Sequence, residues 1–105
     1  MHIKDGKVIL SEKDFQGQVV ACATALGWLS FHAFDSRRSA QGWPDLVLVR
    51  PPRLLFVELK SDKGKLTPDQ VVWMEALARV ETAGGGIECY VWRPADFDNA
   101  LRVLS

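Results

Sequence analysis

Asp45-Leu46-Val47-Leu48-Val49-Arg50-Pro51-Pro52-Arg53-Leu54-Leu55-Phe56-Val57-Glu58-Leu59-Lys60 is the stretch on which the fold turns. Two short, strongly apolar runs, Asp45 to Val49 and Leu54 to Lys60, flank two prolines. Proline fixes φ and removes ladder donors, so Arg50 to Arg53 reads as a turn and the whole as a β-hairpin. A turn centred between Pro51 and Pro52 opposes Val49 to Leu54, Val47 to Phe56 and Asp45 to Glu58. Side chains alternate along a strand, so Phe56, Glu58 and Lys60 project from one face.

Working outward, Ser61 to Lys65 is a polar loop, and Thr67-Pro68-Asp69-Gln70 has the spacing of a capping box with proline at the first helical position. The helix that starts there turns Val71, Met74, Leu77 and Ala78 inward and ends before Gly84-Gly85-Gly86. Ile87 to Trp92 is a further strand, and Pro94 to Leu104, with Asp96 as its cap, a closing helix. On the other side of the hairpin, Ser11 caps a helix whose inward residues are Phe15, Val19, Cys22 and Leu26, stopped at Gly27. Trp28 to Phe34 is a strand, followed by a loop from Asp35 to Gly42. The order is αβββαβα. Leu54 to Trp92 forms a strand-helix-strand crossover, which requires parallel neighbours and hence a mixed four-stranded sheet. Both faces of the hairpin are apolar, so the first two helices cover them, giving an α/β sandwich.

The chain has 105 residues, of which 48% are hydrophobic, and 13 basic residues balance 13 acidic ones. This predicts one soluble domain over residues 1–105 with a core of its own. No apolar run reaches the roughly 18 residues of a membrane span, and Met1 to Leu10 lacks the apolar stretch of a signal peptide, so a cytoplasmic protein without membrane contact is expected. Cys22 and Cys89 stand far apart with no C-x-x-C partner, which predicts two reduced core residues and neither zinc nor a disulfide. The balanced charge hides an uneven distribution. Arg37 to Lys65 holds seven basic residues against Asp45, Glu58 and Asp62, while the flanks are acidic. A basic segment of this kind is either a solvated face or a track for phosphates.

Chemistry favours the second reading. Opposed residues in a hairpin have Cβ atoms roughly 5 Å apart, and two carboxylates so placed repel unless a proton or cation intervenes. Mg²⁺ or Mn²⁺ suits oxygen ligands completed by water and phosphate, and the lack of a His/Cys cluster disfavours zinc. Lys60 lies about 7 Å further along the strand on the face of Glu58, within reach of a phosphate or its attacking water. Asp45, Glu58 and Lys60 together make a phosphodiesterase site. A cross-strand surface pattern is the plain alternative, but charges among Leu54, Leu55, Phe56, Val57 and Leu59 are costly unless paired.

Gly42-Trp43-Pro44-Asp45, Glu58-Leu59-Lys60 and Gly64-Lys65-Leu66-Thr67-Pro68-Asp69-Gln70 together resemble the G-x-P-D, E-x-K and G-K-L-[ST]-x-x-Q signature of VRR-NUC domains, and Ser11-Glu12 with Gln16 resembles the family's first helix. These domains belong to the PD-(D/E)xK nuclease superfamily. The resemblance implies a restriction-endonuclease-like core and a metal-dependent nuclease. It implies that Asp45 and Glu58 bind the metal, with the Leu59 carbonyl and Glu12 as further ligands. Lys60 would position or activate the nucleophilic water, with Gln70 and Glu12 as accessory residues. From the sequence alone, Glu12 is also a first-turn acid favoured by the helix dipole and Gln70 the capping-box partner of Thr67.

Arg37 and Arg38 before the metal motif, and Lys63 and Lys65 after it, are candidates to hold DNA phosphates, with Arg50 and Arg53 next in line. Trp43, beside Asp45, is the one tryptophan placed to touch DNA; Trp28, Trp73 and Trp92 read as core or interface. His32 reads as a hydrogen-bonded core or rim residue rather than a general base. Stand-alone domains of this family resemble virus-encoded proteins and are similar to Holliday junction resolvases, which implies a homodimer acting on branched DNA. Two other readings stay open: an idle domain of this fold that binds nucleic acid or a protein, and a restriction- or repair-type nuclease acting on linear duplex.

Overall fold

The computed structural model describes residues 2–4, 7–32 and 40–105, with side chains within 10–32 and 40–105. The elements are β1 (His2–Lys4), β2 (Lys7–Ile9), α1 (Glu12–Ala25), β3 (Leu29–His32), β4 (Leu46–Arg50), β5 (Arg53–Leu59), α2 (Pro68–Thr82) and β6 (Glu88–Trp92). A 3-10 turn (Pro94–Asp96) and α3 (Phe97–Leu104) follow. The main sheet has the order β3-β4-β5-β6, antiparallel except for the β5–β6 pair, so it is the mixed sheet required by the crossover. Val49 opposes Leu54 and Val47 opposes Phe56, the register expected from a turn centred on the two prolines.

Caps fix the helix starts. Ser11 Oγ accepts from the Asp14 amide, and Thr67 and Gln70 form a reciprocal capping box with Pro68 in the first turn. α1 buries Phe15, Val19 and Ala23; Cys22 is half-buried and Leu26 exposed, so the inward stripe ends on Ala23 rather than on the larger residues. These residues meet Leu46, Leu48, Leu55, Val57 and Leu59 from the sheet and Ala100 and Leu104 from α3 in one core. That face is therefore covered by α1 and α3 together. α2 lies against β6; Met74 is its one buried residue, and Ala78 is exposed.

Several expectations need correction. Within the described residues β3 covers Leu29–His32 and carries Leu29 and Phe31 exposed, because it is an edge of the sheet and the half-face beyond β4 lies outside the reach of α2; the rest of the expected strand, to Phe34, lies outside the described residues. An antiparallel β1–β2 pair precedes α1, its three-residue strands too short to show a period in sequence. The closing helix begins at Phe97 after the 3-10 turn, and Asp96 caps the Arg93 amide rather than α3. Both cysteines are free but only half-buried, not core.

Arg50 and Arg53 are engaged within the fold. Both guanidinium groups lie over the buried Trp28 ring, 4.6 and 5.1 Å from its centroid. Arg50 donates to the carbonyls of Leu26, Leu104 and Ser105, and Arg53 to that of Val103 and to both Glu88 oxygens at 2.8 Å. The two arginines thus satisfy the orphan carbonyls at the ends of α1 and α3. Among the described residues no helix is long and apolar enough to cross a membrane.

Candidate active site

The β4–β5 ladder stops where the site begins. The last ladder pair on that side is Leu46 with Val57, and one residue further Asp45 and Glu58 stand opposite each other. Asp45 continues the strand with its side chain: Oδ2 accepts the Leu59 amide at 2.8 Å, taking the place of a backbone acceptor. Glu58 is completely buried. Its Oε1 accepts from Gln70 Nε2 at 3.3 Å, while Oε2 is buried with no hydrogen-bond partner among the described residues.

Gln70 serves twice. Its Oε1 caps α2 by accepting the Thr67 amide at 2.9 Å, and its Nε2 reaches Glu58, so the capping bond leaves the amide nitrogen free to meet the carboxylate pair. Lys60, the next residue on the Glu58 face, is buried, and its charge favours the ionised form of Glu58. That help is outweighed. Desolvation, then the closeness and negative charge of the Asp45 carboxylate, push the Glu58 pKa up to about 9, with a smaller push from Glu12. The group is held protonated at neutral pH by its surroundings.

Glu12 opens α1 at the same end of the sheet, exposed, and acts on Glu58 through its charge. Among the described residues no set of three or more His, Cys, Asp or Glu forms a ready metal cluster, so the structure brings together Asp45 and Glu58 as a pair. This pair fits a divalent cation: a buried carboxylate oxygen without a partner, facing a second carboxylate, is an arrangement whose charge a hard cation neutralises. Leu59, next to Glu58 on the strand, is buried, and its amide is committed to Asp45.

Among the proposed DNA contacts, Lys63 and Lys65 are exposed in the loop after Lys60. Arg37 and Arg38 lie outside the described residues. Trp43 is half-buried, edge-on to Phe56 (5.9 Å) and to Trp73 (5.0 Å). His32 is half-buried at the end of β3, its Nδ1 3.3 Å from Gln16 Nε2, on the rim as expected. Arg93 went unnoticed in the sequence: its Nη1 donates to the Ser61 and Gly64 carbonyls at 2.8 and 2.6 Å and shapes the loop that carries Lys63. A contact across some 30 residues leaves no local signal.

Known proteins share this fold. The VRR-NUC domain family model matches residues 6–93. A solved VRR_NUC domain protein superimposes with a TM-score of 0.67 at 21% identity, covering 93% of this chain and 88% of that one. A second VRR_NUC domain gives 0.58 at 27% identity, covering 82% and 92%. Archaeoglobus fulgidus Hjc, a Holliday junction resolvase from an archaeal hyperthermophile, gives 0.54 at 26% identity over 76% of this chain and 66% of its own. No curated protein sequence matches. With the family matched over most of its length and the carboxylate pair and lysine assembled at one end of a restriction-endonuclease-like sheet, this chain belongs to the VRR-NUC family of PD-(D/E)xK nucleases.

Proposed function

We propose that the protein is a divalent-metal-dependent deoxyribonuclease, acting on branched DNA as a homodimer, with Mg²⁺ or Mn²⁺ held by Asp45 and Glu58. The observation that carries the reading is the buried Glu58 carboxylate, one oxygen unpartnered, set against Asp45. When bound there, such a cation supplies Lewis acidity and makes a nearby water more acidic. The Leu59 carbonyl and Glu12 are its further candidate ligands. Gln70 orients Glu58, and Lys60 faces the position where negative charge develops at phosphorus. α1 and α2 both begin at this end of the sheet, so their positive dipole ends favour phosphate there. Likeness to a Holliday junction resolvase supports branched DNA as substrate, and a two-armed substrate suits a two-fold dimer.

Cleavage of a labelled four-way junction, a flap, a linear duplex and single strands, each with Mg²⁺, Mn²⁺ or EDTA, tests the proposal. Junction cleavage that needs metal is the expected result. Preference for linear duplex would reassign the substrate, and DNA binding without cleavage under any metal would make this an idle binding domain.

Lys60→Ala is expected to lower turnover by roughly a hundred-fold or more, with DNA affinity changed far less, because its charge matters most in the transition state. Single-turnover rates beside equilibrium binding separate the two; equal losses would make Lys60 a phosphate clamp. Neutralising Arg37, Arg38, Lys63 and Lys65 together should weaken binding to every DNA shape. For each phosphate no longer neutralised, the slope of log K against log salt falls by about 0.9 on duplex DNA. A wild-type salt slope in this variant would leave those loops merely solvated, and Trp43 would then be the remaining candidate contact.

A further inference from the structure

We infer that Trp73 is a positioning residue for Asp45, holding the loop that carries it to the same helix start that orients Glu58. The two carboxylates come from different strands, and past Leu46 and Val57 the ladder no longer sets their separation. The first turns of α2 do so instead.

α2 touches Glu58 and the loop that leads to Asp45. Gln70 donates to Glu58, and three residues on, on the same side of the helix, Trp73 Nε1 donates to the Gln41 carbonyl at 2.9 Å. From Gln41 only Gly42, Trp43 and Pro44 lead to Asp45. Gly42 adopts a left-handed φ of +84°, and a Cβ there would sit 2.3 Å from the backbone carbonyl of Asp69 and 2.7 Å from the Gln70 nitrogen. The loop backbone therefore lies directly on the start of α2. Trp43 packs edge-on between Trp73 and Phe56, the latter two residues before Glu58 on its face, and Pro44 is fully buried. Asp45 arrives with its Oδ2 on the Leu59 amide. The loop is thus fastened to α2 by a hydrogen bond, a close backbone approach and a ring contact, and Trp73 supplies two of the three.

A single partly exposed hydrogen bond adds little to stability, so the larger consequence of losing it lies in geometry. Displacements near 1 Å at a reacting centre can cost about a hundred-fold in rate.

Trp73→Phe removes the N–H and keeps an aromatic ring. The Leu59 amide reports the place of Asp45 without metal or DNA, since Asp45 is its acceptor. Hydrogen exchange of that amide should accelerate about ten-fold or more in Trp73→Phe, while the Leu48 and Leu55 amides keep wild-type rates. In DNA cleavage with Mn²⁺, kcat should fall by about ten- to a hundred-fold with KM nearly unchanged. Trp73→Leu, which also removes the ring, should enlarge both effects. Unchanged Leu59 exchange in Trp73→Phe would overturn the inference, and so would equal acceleration at all three amides, the mark of general loosening. A loss confined to KM would also overturn it, by making Trp73 a DNA contact. The activity arm rests on the nuclease reading. If the wild-type protein cuts no DNA with any metal, that reading fails while the exchange comparison still decides the role of Trp73.

Discussion

Asp45→Asn and Glu58→Gln are each expected to lower metal-dependent cleavage by roughly a thousand-fold or more, and to melt several degrees above wild type in EDTA at pH 8. The first effect follows from losing half of the carboxylate pair that we propose to hold the cation and, through it, to make water more acidic. The second follows from the same pair without metal: Glu58 is fully buried and opposed by Asp45, so a neutral isostere at either place relieves desolvation, repulsion or both. Single-turnover cleavage of the preferred substrate beside thermal melts in EDTA checks the two together. Metal-dependent activity retained in both variants would remove Asp45 and Glu58 from the mechanism. A lowered Tm in both would show that the pair stabilises the fold, contrary to the electrostatics.

A second expected result concerns pH. The unfolded chain loses the Glu58 proton near pH 4.5, whereas the folded protein keeps it until about pH 9. Between these values the folded state binds more protons, so stability falls as pH rises, by up to about 1.4 kcal/mol per pH unit, and levels off above about 9. Glu88 works in the opposite sense and in another window. Held low by Arg53, it contributes stability above its unfolded pKa that is lost as pH falls below about 4.5. Melts in EDTA from pH 5.5 to 8.5 should therefore show a Tm that declines steadily in wild type and is much flatter in Glu58→Gln. Millimolar Mn²⁺ should lift the alkaline end most, because a cation takes the carboxylate ionised. A flat wild-type profile in EDTA would mean that Glu58 is ionised in the fold.

What the sequence makes legible is whatever local pattern controls. Two prolines between apolar runs set the register, and with it the opposition of Asp45 and Glu58, because a strand alternates strictly and a one-residue slip would turn every side chain over. Thr67-Pro68-Asp69-Gln70 announces its capping box because the interaction spans three residues. The rest depends on partners far away in the chain. Nothing near Arg50 or Arg53 tells that Trp28 and the carbonyls of α3 lie beneath them, so a basic turn that reads as a possible DNA track is structural. Leu29 and Phe31 look like core residues until the sheet order makes β3 an edge. Ala23, small and unremarkable in sequence, is buried where the spacing points to Leu26. At the site, Gln70 is legible; the fastening of Gln41 and Gly42 to α2 is not, because it joins a loop to a helix more than 25 residues later.

The arginine turn has a consequence for how this protein can change. Arg50 and Arg53 close one end of β4 and β5, and Asp45 and Glu58 open the other, five residues of strand away or about 16 Å. Substitutions that far apart with no shared partner combine nearly additively, within about 0.5 kcal/mol. Losses incurred by reshaping the Asp45–Glu58 end can therefore be offset by improvements at the turn, where they leave the carboxylate pair undisturbed. The sheet keeps its anchorage and its chemistry at opposite poles, and so leaves evolution, or a designer, free to vary one without rebuilding the other.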